Sequence, residues 1–324
     1  VKLLLNDERV DVNKEENEYG WTPFSIAYKQ GHLEIVKLLI SNQRIDLNKE
    51  DENGSTPLNI ACQKGHTDIV KLLLNNERVD VNQVKDVFYI VCEKGYTDIV
   101  KLLLNNERVD INQTNNDEIT PFYVACYNRH IEIVKLLLKD KRVDTKQIKS
   151  DYWASFWMAC YDGHIDVVKL LLNDKRVDLN NENTKGETPF YIACYKGHIE
   201  IVNLLINDNR IEINKARNHG PTPLWIACEK GHIKIVKLLL NDERVDLNKA
   251  SEDSRTPFFV TCQKGHIEIV KLLLNNKQIS IRRETNERKT AIDVANANIV
   301  RLIKEYDTGI IINNELNLCL IIVI

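Results

Sequence analysis

The chain has 324 residues, a formal net charge of −3 and 28% charged residues of mixed sign. That balance lacks the basic stripe and high pI of a nucleic-acid binder, so the charges read as an ordinary solvated face. Length alone suggests about two domains, but the sequence repeats itself along most of its length, and a repeat array forms one elongated domain whose units contact mainly their neighbours.

Residues 1–13, VKLLLNDERVDVN, form the second half of a unit. The chain is therefore expected to be a fragment or to lack an upstream repeat; it starts without an initiator Met or a signal peptide. Full units begin at Thr22, Thr56, Asp86, Thr120, Ala154, Thr188, Thr222 and Thr256. Gly31, Gly65, Gly95, Gly163, Gly197, Gly231 and Gly265 mark one position in them, with Arg129 as the single replacement. The step is 34 residues except between Gly65 and Gly95, where it is 30, and the four missing residues fall in the loop after Asn82.

Two helices account for one unit. Thr188 suits an N-cap and Pro189 the first helical position, where no N–H is needed. Phe190, Ile192, Ala193 and Cys194 make a short apolar helix, and Gly197 ends it in the left-handed conformation. Glu200 falls in the first turn of a second helix, at its positive end. Ile201, Val202, Leu204, Leu205 and Ile206 give that helix a buried face. Glu34/Lys37, Asp68/Lys71 and Glu132/Lys135 are i,i+3 pairs on the exposed side, each contributing about 0.2–0.5 kcal/mol. A polar run rich in Asn, Asp, Gly and Pro closes the unit. In the unit at Asp86, which lacks Thr and Pro, Asp86 is expected to cap instead. The unit at Ala154, with Ala-Ser there, is expected to start its helix more loosely.

The last unit, TAIDVANANIVRLI from Thr290, is four residues shorter between the start of its first helix and Ile299. The missing turn is expected between its helices, and Asp293, Asn296 and Asn298 make it polar, as suits a terminal cap. Residues 306–324 form a tail ending in an apolar run from Leu318 to Ile324. That run is too short for a bilayer span of about 20 residues and is expected to pack on the array's end, to meet a partner, or to be cut short.

The core TPLxxAxxxGHxEIVxLLL with a (V/I)-D-(V/L)-N loop, clearest in TPLWIACEKGHIKIVKLLL from Thr222, resembles the ankyrin repeat over residues 1–305. The resemblance implies an all-α ankyrin-repeat solenoid of stacked antiparallel helix pairs with projecting loops and a concave surface. It comprises a partial first repeat (1–13), about eight full repeats and a shortened C-terminal repeat (290–305). Two departures stand out. The loop after the second helix is one residue longer than the family's and reads ERVDVN, as at Glu77 to Asn82, with no Gly. The His that often follows Thr-Pro-Leu is also absent.

Candidate chemistry gives way to periodicity. Cys62, Cys92, Cys126, Cys160, Cys194, Cys228 and Cys262 share one slot of the first helix. Stacked helices lie about 8–10 Å apart, too far for disulfides, which usually need Cα atoms within about 7 Å. The thiols read as core packing and, unpaired, favour a reducing, cytoplasmic compartment. His32, His66, His130, His164, His198, His232 and His266 also recur once per unit and read as helix-boundary residues bonding to backbone, while His219 alone lies in a loop. The loop Asn (Asn48, Asn82, Asn112, Asn180, Asn214, Asn248) reads as satisfying loop backbone groups, although the family resemblance also marks it as a position that is sometimes hydroxylated. No HExxH, phosphate-binding Gly loop or nucleophile elbow occurs. No enzyme activity, cofactor, metal, small-molecule substrate, nucleic acid or membrane is expected.

Positions that differ between units are free to encode a partner. Two places after the Pro position stand Tyr89, Tyr123, Trp157, Tyr191, Trp225 and Phe259, an aromatic in six consecutive units. Four residues later, on the same helix face, stand Tyr127, Tyr161 and Tyr195. With Trp153, just before its unit, these form the candidate partner-binding residues; the competing reading is an aromatic ladder filling the space between first helices. The expected function is a non-enzymatic scaffold that binds a partner protein through the concave face and loop tips. The alternative is a targeting segment of a larger enzyme, channel or ubiquitin-ligase protein.

Overall fold

A computed structural model describes residues 1–16, 20–81, 86–145, 154–218 and 220–308. These divide into two compact units, Val1–Ser155 with Lys169–Val177, and Phe156–Val168 with Asp178 onward. Trp153, Asn82, His219, the shortened loop after Asn82 and the apolar tail from residue 309 lie outside the described residues.

All secondary structure among the described residues is helical, apart from one isolated bridge between Glu16 and Trp21. The first unit opens with α1 (Lys2–Leu5), followed by the pairs α2/α3 (Pro23–Lys29, Leu33–Ile40), α4/α5 (Pro57–Lys64, Thr67–Leu74), α6/α7 (Val87–Lys94, Thr97–Leu104) and α8/α9 (Pro121–Tyr127, Ile131–Lys139). The pair α10/α11 (Ser155–Asp162, Ile165–Leu172) follows. The second unit continues with α12/α13 (Pro189–Lys196, Ile199–Ile206), α14/α15 (Pro223–Lys230, Ile233–Leu240), α16/α17 (Pro257–Lys264, Ile267–Leu274) and α18/α19 (Ala291–Val294, Ala297–Asp307).

Within each unit, first helices pack on first helices and second on second: α2, α4, α6 and α8 in the first, α12, α14, α16 and α18 in the second. The rows predicted to be apolar are the ones buried. Val70, Val100 and Val134 are fully enclosed in one unit, and Val202, Val236 and Val270 in the other. The cysteine slot lies in the first-helix layer, with seven thiols buried and unpaired.

Six first helices start as expected. The hydroxyls of Thr22, Thr56, Thr120, Thr188, Thr222 and Thr256 accept the N–H three residues on, with Pro at the first position. Asp86 is a correction. It has φ 78° and makes no side-chain cap bond, because a left-handed backbone swings its carboxylate away from the first-turn N–H groups that an extended Thr faces. The last pair also differs from expectation. Its missing turn comes out of the first helix, since α18 has four residues where α16 has eight, while two residues still join it to α19. The Thr290 hydroxyl donates to the Asp293 carboxylate at 2.7 Å, and so does the Thr290 N–H. The pairs Lys37–Glu34 and Lys135–Glu132 form at 2.6 and 2.7 Å on the solvent side; no such bridge joins Asp68 to Lys71.

Candidate functional site

The repeated polar residues turn out to be ties between neighbouring repeats. The first helix ends in a left-handed Gly, and the His after it returns its N–H to the carbonyl five residues back, as His198 does to Ala193 at 3.1 Å, a Schellman closure. The ring then reaches back one repeat. His198 Nε2 meets the Tyr161 carbonyl at 3.0 Å, His232 that of Tyr195 at 3.0 Å and His266 that of Glu229 at 2.9 Å; in the first unit His66 meets Lys29 and His130 meets Glu93. A carbonyl only accepts, so Nε2 carries the proton in each.

The loop Asn satisfies two backbone groups of the next loop at once. Asn214 Nδ2 donates to the Arg244 carbonyl at 2.6 Å, while its Oδ1 accepts from Asp246 N–H at 2.8 Å. Asn48, Asn112, Asn180 and Asn248 repeat the arrangement. The sequence reading of Asn as a loop-backbone partner thus holds, with the partner one repeat away.

A third tie was not foreseen. The Arg of the longer ERVDVN loop lays its guanidinium on the end of the preceding repeat's second helix. Arg176 donates to the Leu138, Asp140 and Val143 carbonyls at 2.7, 3.2 and 3.2 Å, and Arg108 to Leu74 and Val79 at 2.8 and 3.2 Å. The Asp two residues earlier holds the same guanidinium, as Asp174 does Arg176 at 2.8 Å. This hydrogen bond lowers the carboxyl pKa of Asp140, Asp174, Asp208 and Asp242 below the ordinary value. The cap also sets a cation at the negative end of the helix dipole. The signal in the sequence was the fixed Asp/Asn-x-Arg spacing.

Against that background the aromatic positions separate. In the slot two after Pro, Trp157, Tyr191 and Phe259 are buried, at 2, 0 and 3% exposure, while Tyr89, Tyr123 and Trp225 are half-buried. The two indoles act as further ties: Trp157 Nε1 donates to the Glu187 carbonyl at 2.8 Å and Trp225 Nε1 to that of Arg255 at 2.9 Å, each just before the next repeat's capping Thr. One turn later, Tyr127 and Tyr195 keep 49 and 37% of their surface, and Tyr161 is half-buried. Tyr127 stacks on Tyr123 with ring centroids 6.1 Å apart, and Tyr161 on Trp157 at 5.2 Å.

The second unit adds a diagonal of cations. Lys196 Nζ lies 3.8 Å from the Tyr161 ring centroid and Lys230 Nζ 4.9 Å from that of Tyr195. Glu229, next in the row, meets Lys264 at 3.4 Å and Lys230 at 3.8 Å. Tyr161–Lys196, Tyr195–Lys230 and Glu229–Lys264 each join the slot in one repeat to the residue before the left-handed Gly in the next. Cation–π pairs of this kind contribute about 0.5–1 kcal/mol at exposed sites. Among the described residues, no group of three His, Cys, Asp or Glu could hold a metal ion, and no helix is long and apolar enough to cross a membrane.

A family model described as ankyrin repeats (three copies) matches residues 1–85, 84–149, 156–250 and 242–315. No curated protein matches the chain.

Proposed function

Because this chain belongs to the ankyrin-repeat family, whose repeats are in general protein–protein interaction modules, we propose that it is a non-enzymatic scaffold that holds a partner protein on its first-helix face. The partner docks on the row Tyr161, Tyr195 and Glu229 with the lysines crossing it. One observation carries this reading. The recurring His, loop Asn and loop Arg side chains are engaged within the array, whereas Tyr195 combines an exposed ring with an ammonium over its face. Rings of Tyr lose little conformational entropy on docking and dominate the energetics of many interfaces. A rigid array loses little ordering entropy as well. The strip suits a partner surface offering apolar side chains flanked by carboxylates.

The test compares wild type with a Tyr161→Ala/Tyr195→Ala double variant in cross-linked capture of partners, with binding then measured on the purified pair. The double variant is expected to lose about 2 kcal/mol of affinity while staying folded at the assay temperature, its melting lowered only by the loss of the two cation–π pairs and the Trp157 stack. Equal binding by both proteins would sink the assignment. Trp157 and Tyr191 are poor probes, because their burial ties any substitution to stability.

A further inference from the structure

The guanidinium tie has one gap. The loop position held by Arg44, Arg78, Arg108, Arg142, Arg176, Arg210 and Arg244 is Gln278 in the last full repeat. Arg244 donates to the Ile206 carbonyl, 38 residues back, and Arg176 to carbonyls 38, 36 and 33 residues back. Counted from Gln278, the same offsets reach Leu240, Asp242 and Val245. Those three residues line a cavity of about 850 Å³, together with Glu243, Asn276 and Gln278 itself. The Gln278 side chain is exposed and makes no hydrogen bond among the described residues, and no protein donor there reaches the Leu240 carbonyl.

We propose that this cavity is a receptor for the guanidinium of an arginine side chain presented by a partner protein. The protein itself demonstrates the fit, since a guanidinium occupies the corresponding place in the repeats before it. A planar fork reaches divergent carbonyls that a single ammonium cannot satisfy together. The end of α15 adds the negative pole of its dipole. Glu243 adds a carboxylate where Asn209 Oδ1 accepts from Arg244 at 3.3 Å. Lys237 and Lys277 also border the cavity, but Arg176 seats itself with Lys135 and Lys175 at the matching positions, so two lysines do not bar the cation. Residues 309–324 contain no Arg or Lys and cannot supply the occupant. This site lies at the ends of second helices, apart from the aromatic row, and stands or falls independently of it.

Titration of isotope-labelled protein with N-acetyl-arginine methylamide tests the proposal, read by backbone amide shifts. The expected result is saturable shifts confined to Asn241 to Val245 and Asn276 to Gln278, at least about tenfold weaker binding of N-acetyl-lysine methylamide, and no response in Gln278→Arg, whose own guanidinium fills the site and raises the melting temperature. Glu243→Gln, which alters only one exposed side chain, should weaken binding several-fold and serves if Gln278→Arg folds poorly. Non-saturating shifts, equal binding of the lysine compound, or an undiminished response in both variants overturns the proposal. So does free arginine binding more than about tenfold tighter than the blocked amide, which would make the cavity an amino-acid site.

Discussion

Gly197 and His232 are separated by 35 residues yet constrain each other directly. Gly197 has φ 82°, and a Cβ there would stand 2.6 Å from His232 Cε1. Both the backbone and the neighbouring repeat therefore favour glycine at this position. Gly197→Ala is expected to cost at least about 1–2 kcal/mol from the left-handed backbone alone, and more from the clash. His232→Ala removes the ring and its bond to Tyr195 but also the obstacle. In a double-mutant cycle, read by urea unfolding, the Gly197→Ala penalty should shrink toward its backbone part when His232 is already Ala. Strict additivity would show that the ring yields freely and the two positions are not coupled. Half of this relation was legible beforehand: the Gly as a left-handed stop, and the His as a backbone partner. Which carbonyl the His would reach was not, because periodicity establishes that residues share a slot without fixing how far one slot leans across the next. For the same reason Trp157, Tyr191 and Phe259 looked equivalent to Trp225 in sequence, although three are buried and one is half-exposed.

At the scale of a helix, start and stop chemistry was readable wherever the residue types matched their backbone. Thr-Pro starts came out where expected. Asp86 did not, since the choice between an extended and a left-handed backbone at a single Asp depends on the loop entering it, and that loop is four residues short. The consequence is measurable. Trp225 N–H is held by the Thr222 hydroxyl at 3.2 Å and Tyr123 N–H by that of Thr120 at 3.1 Å, whereas the Asp86 side chain gives Tyr89 N–H no such acceptor. Native-state amide exchange should find Tyr89 exchanging faster than Tyr123 and Trp225; equal protection at the three sites would show that another group caps α6. The arginine cap was missed for a related reason. A cation near a helix end is easily assigned to its own helix, and the array instead uses it on the preceding one.

Over the molecule as a whole, small per-repeat effects add. Cys62, Cys92 and Cys126 in the first unit and Cys160, Cys194, Cys228 and Cys262 in the second are all buried. Burial raises every one of these thiols, with Cys228 and Cys262 pushed up to about 12. Unfolded thiols ionise near pH 8.5, so above that pH the folded chain binds more protons than the unfolded one and stability falls as pH rises. Tyr28 and Tyr191, also raised by burial, join above about pH 10. The aspartates tied to arginine act at the other end. Their lowered pKa stabilises the fold above about pH 4, and that contribution is lost as pH falls through the folded value. Between these limits, these groups leave stability nearly flat. Each thiol adds up to about 1.4 kcal/mol per pH unit once its unfolded form is ionised, so seven together should make the alkaline limb steep. Melting temperatures recorded from pH 7 to 10 under reducing conditions should hold to about pH 8 and then drop. Cys194→Ala and Cys228→Ala should each lower stability at pH 7 yet make the alkaline drop shallower by one thiol's share. A flat profile through pH 10, or a slope unchanged by removing both thiols, would mean that the cysteine row ionises without opening the stack.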